Sequence, residues 1–539
     1  MAVEGLEPIL KSFRSGNSRR NFSARDAIGL AVLYCSSYFL PLVRPSGAYF
    51  VAIGDVAYPT LLAIIVIAPA LFLAGRYLLA RSDTRRSQIA IWLVLTAFSF
   101  VAITSAFAAA DLIPSEFILL AAGSQLPRSS LRILRVLLAA LTVGGAGLAM
   151  WWLRFRWPAV VRFFGLLGCA FLVLAILRLV QYTVRLPAAA ATPGARETAG
   201  ANAPASRRVV WIIFDELDYG EVFGTAIAKN VVAMPNLTGL RNRAVSAEQA
   251  FPPARDTRES VPALLTGLEV RGAEYDGRGQ LILLTAHSGA RPFVEPDSIF
   301  TRLPQGTTSA AILGYFHPYC RVFPSVRDCE AISTQNAGRW FDALAPFGES
   351  ALGMARWTPV IQDYLPDGAL HSFVPMYRAS EELVRQLPRY VSMVDKALVF
   401  IHMNLPHVPS EYSQRVLGLP PVADDLAGYR QNLLLVDRIV GQVVQQMRAG
   451  ARRTDALLIV SADHWYRPFS QTKSLRVPFI VWHVGEEQGV RMPQQLTTLH
   501  TGALIADFLS GHVSTQSEIA KWWDDKPAYA TWIPERPQY

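Results

Sequence analysis

The sequence predicts two structural classes in one chain: a bundle of about five membrane-crossing helices, then an α/β domain whose mixed, mostly parallel sheet is sandwiched by helices. Three observations point there. The chain has 539 residues of which 51% are hydrophobic, too apolar for an ordinary soluble protein of this size and far from a disordered one. Its charge is divided unevenly, +11 over residues 1–205 and −2 over 206–539, so the overall excess of 51 Lys and Arg over 42 Asp and Glu belongs to the apolar part and does not mark a nucleic-acid-binding surface. Finally, long apolar runs crowd the first 185 residues, whereas short ones alternate with segments of helical period after residue 207.

The long runs fall at roughly 27–43, 57–75, 88–110, 133–153 and 158–180, each near the ~20 residues that cross a hydrocarbon core. The first is cut short by Pro41 and Arg44 and stands behind five basic residues, so it reads as a signal anchor and not as a cleaved signal peptide. Basic residues also cluster at Arg76, Arg81, Arg85 and Arg86, and again at Arg154, Arg156 and Arg162, which puts those segments and the N-terminus in the cytoplasm. Arg128, Arg132 and Arg135, before the fourth run, go against this pattern. Five spans then place everything after residue 185 outside the cytoplasm, giving an integral protein of a bacterial inner or plasma membrane. The expected organisation is a transmembrane domain at 1–185, an Ala- and Pro-rich linker at 186–206 and an extracytoplasmic domain at 207–539.

In the outer domain, 209–214 (VVWIIF), 309–314, 396–402, 456–461 and 477–484 read as buried strands. A helix is expected over about 424–448, where Leu426, Tyr429, Leu433, Val436, Val440, Val443 and Met447 recur every three or four residues and Gly450 supplies a stop. Four cysteines make no disulfide framework. Cys35 and Cys169 lie in apolar runs, and whether Cys320 and Cys329 pair stays open. The tail, WWDDKPAYATWIPERPQY, is aromatic and suggests packing over the domain or contact with a membrane surface.

Polar residues collect where the strands end: Asp215 and Glu216 after the first, His317 after the second, Asn404 and His407 after the third, Asp463 and His464 after the fourth. Any one of these fits a solvated turn, but ligands of parallel sheets bind beyond the carboxyl ends of the strands, and a divalent cation wants carboxylate and imidazole there. In FPPARDTRESVPALLTG, Thr257 or Ser260 is either a helix cap or a nucleophile, since a hydroxyl at a helix start faces N–H groups that favour an oxyanion. A free Thr hydroxyl is a poor nucleophile, so the second role requires a metal to lower its pKa.

Seven segments of 207–539 resemble, in order, the sulfatase-like branch of the alkaline phosphatase superfamily: VVWIIFDE, MPNLTGLRNRAVSAEQAF, TRESVPALLTG, GYFH, NLPHVPSEY, the helix-to-strand run ending in SADH, and LRVPFIVW. The resemblance implies a divalent metal held by Glu216, Asp463 and His464 with Asp215 as a further ligand, and Thr257 as nucleophile bound to it. It gives His407, and also His317, a contact with the transferred phosphate or the leaving group. His402 and His500 read equally well as structural. The metal is zinc or manganese ahead of calcium or magnesium, from the mixed Asp, Glu and His donors. Two departures bear on function: Thr257 stands where sulfatases carry the cysteine that becomes formylglycine, and Tyr315 replaces the lysine of their GKWH. Lys473 is a candidate for their second lysine.

A Thr at this place, behind five spans, resembles the membrane-anchored phosphoethanolamine and lipoteichoic-acid-type phosphoglycerol transferases. The implied function is transfer of a phospho-head-group from a membrane lipid to a glycan or lipid acceptor. The alternatives are a hydrolase of sulfate or phosphate esters, and a non-catalytic membrane scaffold that keeps the fold. Donor, acceptor and oligomeric state are not specified by the sequence.

Overall fold

The computed structural model describes residues 22–43, 49, 53–81, 157–185, 206–224, 233–276, 279–303, 310–332, 375–422, 425–450, 455–467 and 475–526. The described residues form two compact units, one before residue 190 and one from 206 on.

In the first unit, helices Ala24–Val43, Ile53–Arg81 and Trp157–Arg185 occupy three of the five expected spans. The runs at 88–110 and 133–153 lie outside the described residues. Among the described residues no helix is long and apolar enough to cross a membrane. The first and third helices cross at glycines: a Cβ on Gly29 would lie 1.8 Å from the Gly165 carbonyl oxygen, and one on Gly168 1.9 Å from that of Gly29. Without side chains at these points the two backbones touch.

The second unit holds an eight-stranded sheet. Its strands are β1 (Arg207–Asp215), β2 (Val245–Phe251), β6 (Ala310–Tyr315), β7 (Asp328–Ile332), β8 (Leu398–Pro406), β9 (Asp455–Ala462), β10 (Ile480–His483) and β11 (Val490–Thr497). Three short strands, β3 (Val270–Tyr275), β4 (Leu281–Thr285) and β5 (Gly289–Pro292), form a separate antiparallel sheet. The main order is β11-β2-β10-β9-β1-β8-β6-β7, and only β10 runs against its neighbours. All five expected strands are present. β2 and β11, which have no continuous apolar run, extend the sheet beyond them.

β1 is central, paired with β8 and β9 and buried almost throughout, which is why VVWIIF carries no polar alternation. Its Val210, Ile212 and Phe214 belong to a core that includes Leu433, Val436 and Val440 of the helix Asp425–Gly450. Trp211 packs edge-on against Phe400 at 5.2 Å. The expected helix at 424–448 is this same Asp425–Gly450 element. Cys320 and Cys329 are joined, with Cα atoms 5.5 Å apart, tying the segment after β6 to the edge strand β7. In the tail, Trp523 is buried against Phe479 on the helix Gln516–Asp524, which has a Thr515/Glu518 capping box, so this part packs over the domain. Trp532 lies outside the described residues.

Candidate active site

β9, β1, β8 and β6 are neighbours and parallel, so their carboxyl ends share one edge of the sheet. Asp215 arrives there at the end of β1, and Asp463 and His464 directly after β9. These three offer ligand atoms that all lie within 4.8 Å of one another. His464 Nε2 is 3.5 Å from Asp215 Oδ1 and 3.5 Å from Asp463 Oδ2.

The donor set fits a divalent cation. Asp463 Oδ1 accepts from the backbone N–H groups of Glu216 and His464, at 3.2 and 2.7 Å, while Oδ2 is buried with no hydrogen-bond partner. Asp215 Oδ1 is likewise buried and unpartnered. Burial, joined by the charges of Asp463 and Glu216, pushes the Asp215 carboxyl well above its ordinary range, and burial raises Asp463 as well. His464 donates from Nδ1 to the Trp465 carbonyl at 3.0 Å, since a carbonyl can only accept; Nε2 therefore presents its lone pair to the carboxylates. Burial, aided by the Arg467 charge, lowers its pKa to about 4 and keeps the ring neutral.

Glu216 does not join this cluster. The pairing of β1 with β8 shifts register between Phe214 and Asp215, and Glu216 takes φ +67°. The turn separates the two adjacent carboxylates: Glu216 Oε1 accepts from Arg467 Nε at 3.1 Å.

Thr257 opens the helix Thr257–Thr266, but the cap belongs to its neighbour: Asp256 accepts from Glu259 N. Ser260 is also engaged, donating to the Asp463 carbonyl at 2.5 Å. The Thr257 hydroxyl is thus released from capping, and its Oγ1 lies 3.3 Å from His464 Nε2. Pro262 sits inside the helix and Gly267 ends it at φ +71°, the left-handed conformation that glycine adopts without a Cβ penalty.

The remaining histidines divide. His317 is buried, and its Nε2–H donates to the Thr257 carbonyl at 3.1 Å, so it steadies the backbone of the candidate nucleophile. Burial lowers its pKa to about 4. His407 is half-buried and donates from Nδ1 to the Val408 carbonyl at 2.5 Å. His402 is closer to the cluster of Asp215, Asp463 and His464 than the sequence suggested: its Nδ1 is 2.7 Å from the Tyr319 hydroxyl and its unpartnered Nε2 is 4.0 Å from Asp463 Oδ2. His500 stands apart, its ring 6.5 Å from that of Trp523. Asn404 lies within β8 and bonds to Ser380 and Met376, a packing role. Lys473 lies outside the described residues.

Sequence reasoning missed Asn432 and Arg467. Asn432 donates to the carbonyls of Pro406, His407 and Pro409 and accepts from Ser413, fixing the loop that carries His407. Its only signal was a polar residue beside Leu433 on the buried stripe. Arg467 follows the Asp463–His464 pair by a few residues in a segment without period, and nothing in the sequence set it apart.

No protein-family model and no curated protein matches the chain. Among solved structures it is similar to a putative sulfatase from Bacteroides thetaiotaomicron, at 13% identity and TM-score 0.40 over 60% of this chain and 76% of that one. It is also similar to a phosphonate monoester hydrolase of Agrobacterium radiobacter, at 14% and 0.38 over 57% and 74%. A third similarity, at 11% and 0.34 over 57% and 73%, is to the lipoteichoic acid synthase LtaP from Listeria monocytogenes.

Proposed function

We propose that this chain is a metal-dependent, membrane-anchored phosphotransferase that moves a phospho-head-group from a membrane lipid to a glycan or lipid acceptor through Thr257. The observation that carries the reading is the uncapped Thr257 hydroxyl, 3.3 Å from the lone-pair nitrogen of His464 and beside two buried, unpartnered carboxylate oxygens. Asp215, Asp463, His464 and Thr257 would hold the cation. When bound, it supplies the positive charge that lowers the hydroxyl pKa and polarises the phosphoryl oxygens.

Thr257 Oγ then forms a bond to phosphorus while the bond from phosphorus to the lipid glycerol oxygen breaks, and diacylglycerol leaves carrying the proton. An acceptor hydroxyl attacks the phospho-Thr257 ester, and Thr257 regains its proton; water as acceptor makes the same chemistry a phosphodiesterase. His317 holds the Thr257 backbone in place, and His407, on its Asn432-braced loop, is assigned to the leaving group.

The membrane anchor is supported by where apolar side chains are exposed. Eleven of the thirteen large exposed ones among the described residues lie on the three helices before residue 186, with Leu73 65%, Phe163 61% and Ile65 57% exposed, a pattern that favours an apolar covering. The domain limits at 1–185, 186–206 and 207–539 belong to the same proposal.

The test is mass spectrometry of the Thr257 peptide from detergent-solubilised protein incubated with metal and total membrane lipid. A phosphoglycerol or phosphoethanolamine adduct on Thr257, absent from Thr257→Ala, is the expected result. Metal-dependent turnover that survives in Thr257→Ala would remove the nucleophile from the mechanism.

A further inference from the structure

Glu216 is held in the left-handed region, at φ +67°, a conformation that strains a non-glycine residue. What the turn achieves is a separation. Asp215 stays with Asp463 and His464, while the buried Glu216 carboxylate takes the Nε of Arg467 at 3.1 Å.

An Nε-anchored guanidinium is fixed in its plane, and its two terminal nitrogens are still available. Among the described residues neither takes a partner, and the Arg467 side chain is 45% exposed against 2% for Glu216. The arginine therefore stands at the solvent side of a buried acidic group. Glu216 follows Asp215 directly in the chain and its backbone N–H donates to Asp463 Oδ1 at 3.2 Å, so the arginine that its side chain holds stands beside that cluster. Charge balance gives it a task. Asp215, Asp463 and His464 gather their donor atoms within 4.8 Å of one another, and the buried Glu216 carboxylate, which lies outside that group, is matched by the Arg467 guanidinium.

We propose that Arg467, positioned through its Nε by Glu216, is the fork that binds the non-bridging oxygens of the phosphoryl group, and that Glu216 serves the arginine and not the metal. A guanidinium suits this, because its two parallel N–H bonds match two oxygens on one phosphorus. This inference rests on the phosphotransferase reading.

The experiment uses the full chain in detergent, with Arg467→Met, Arg467→Lys, Glu216→Gln and, for comparison, Asp215→Asn. Metal bound per chain is measured first, by elemental analysis after loading with manganese or zinc. Arg467→Met and Glu216→Gln are expected to keep the wild-type stoichiometry and Asp215→Asn to lose it. Affinity of the loaded proteins for inorganic phosphate is then read by calorimetry. It should fall about tenfold or more in Arg467→Met, and by less in Arg467→Lys, which keeps the charge without the fork and guards against a folding defect. Loss of metal in Glu216→Gln, unchanged phosphate affinity in Arg467→Met, or no phosphate binding by the wild type would each overturn the proposal. If phosphate binding depends on Arg467 yet wild-type protein turns over no phosphodiester, it is the phosphotransferase reading that fails and the fork that stands.

Discussion

His317 and His464 are both buried and both neutral, yet their hydrogen bonds give them opposite jobs. His464 spends its proton on the Trp465 carbonyl from Nδ1 and so turns a lone pair towards the carboxylates; His317 spends its proton on the Thr257 carbonyl and has no lone pair to offer there. His317→Phe would leave a buried carbonyl without its donor, a cost of about 1–3 kcal/mol. The expected outcome is a lower melting temperature and a lower kcat with metal content unchanged, and His317→Gln, whose amide can donate, should recover part of both. A third histidine works outside the site. Burial pulls the His483 pKa down, but hydrogen bonds to Asp455 and Glu486, each 2.5 Å, outweigh it and leave the pKa raised above 6.5. A raised folded pKa gives stability that is fully present below 6.5 and is lost as pH rises through the folded value. Thermal melts over that range should show this loss in the wild type and a flatter profile in His483→Gln.

The helix Asp425–Gly450 shows what an element reveals from sequence and what it hides. Its apolar period was legible from Leu426 to Met447, and the structure reproduces it within a residue or two. Hidden were the polar residues on the same stripe. Asn432 and Asp437 stand next to the apolar positions Leu433 and Val436, and both are buried. Asp437 accepts from Asn236 N, Asn236 Nδ2 and Leu237 N, and so caps the helix Pro235–Arg243, whose own N-terminal residue Met234 has no capping side chain. Gly441 lets that contact form, since a Cβ there would lie 2.6 Å from the Asn236 side chain. Asp437→Ala should therefore destabilise the domain by about 1–2 kcal/mol in chemical denaturation, the range of a lost cap. A capping partner from another helix has no local spacing, which is why a window of sequence cannot show it. β2 was missed for a related reason: VSAEQAF carries Glu248 and Gln249 and gains its place by pairing with β10 and β11.

For the whole molecule, the sheet and the edge that bears the site were legible because a strand buried on both faces must be apolar and must end in polar residues where the chain turns. That rule put Asp215, Asp463 and His464 among the strand-end residues without separating them from Glu216, His317, Asn404 and His407, and Thr257 needed the resemblance to separate it from a cap. The roles of Glu216 and Arg467 depended on a backbone turn that composition does not encode. The cluster also makes a prediction about stability. Two buried carboxylates with raised pKa values strain the domain until a cation compensates them. Adding zinc or manganese to chelator-treated protein should stabilise it by about 2.7 kcal/mol at a hundredfold excess over Kd, read as a melting temperature that rises with metal concentration. The double variant Asp215→Asn, Asp463→Asn should lose that response.

The position of β1 between β8 and β9 has a bearing on biosynthesis. The first strand of the domain to be made, residues 207–215, finds both of its neighbours only once residues 398–406 and 455–462 have followed it through the translation machinery. Until then its continuous apolar run has no edge to join, and Asp215 waits for Asp463 and His464. Pairings so distant along the chain form slowly and leave adhesive strand edges exposed meanwhile. An unfinished chain is therefore vulnerable, and the cluster of Asp215, Asp463 and His464 is complete only after residue 464 has been delivered.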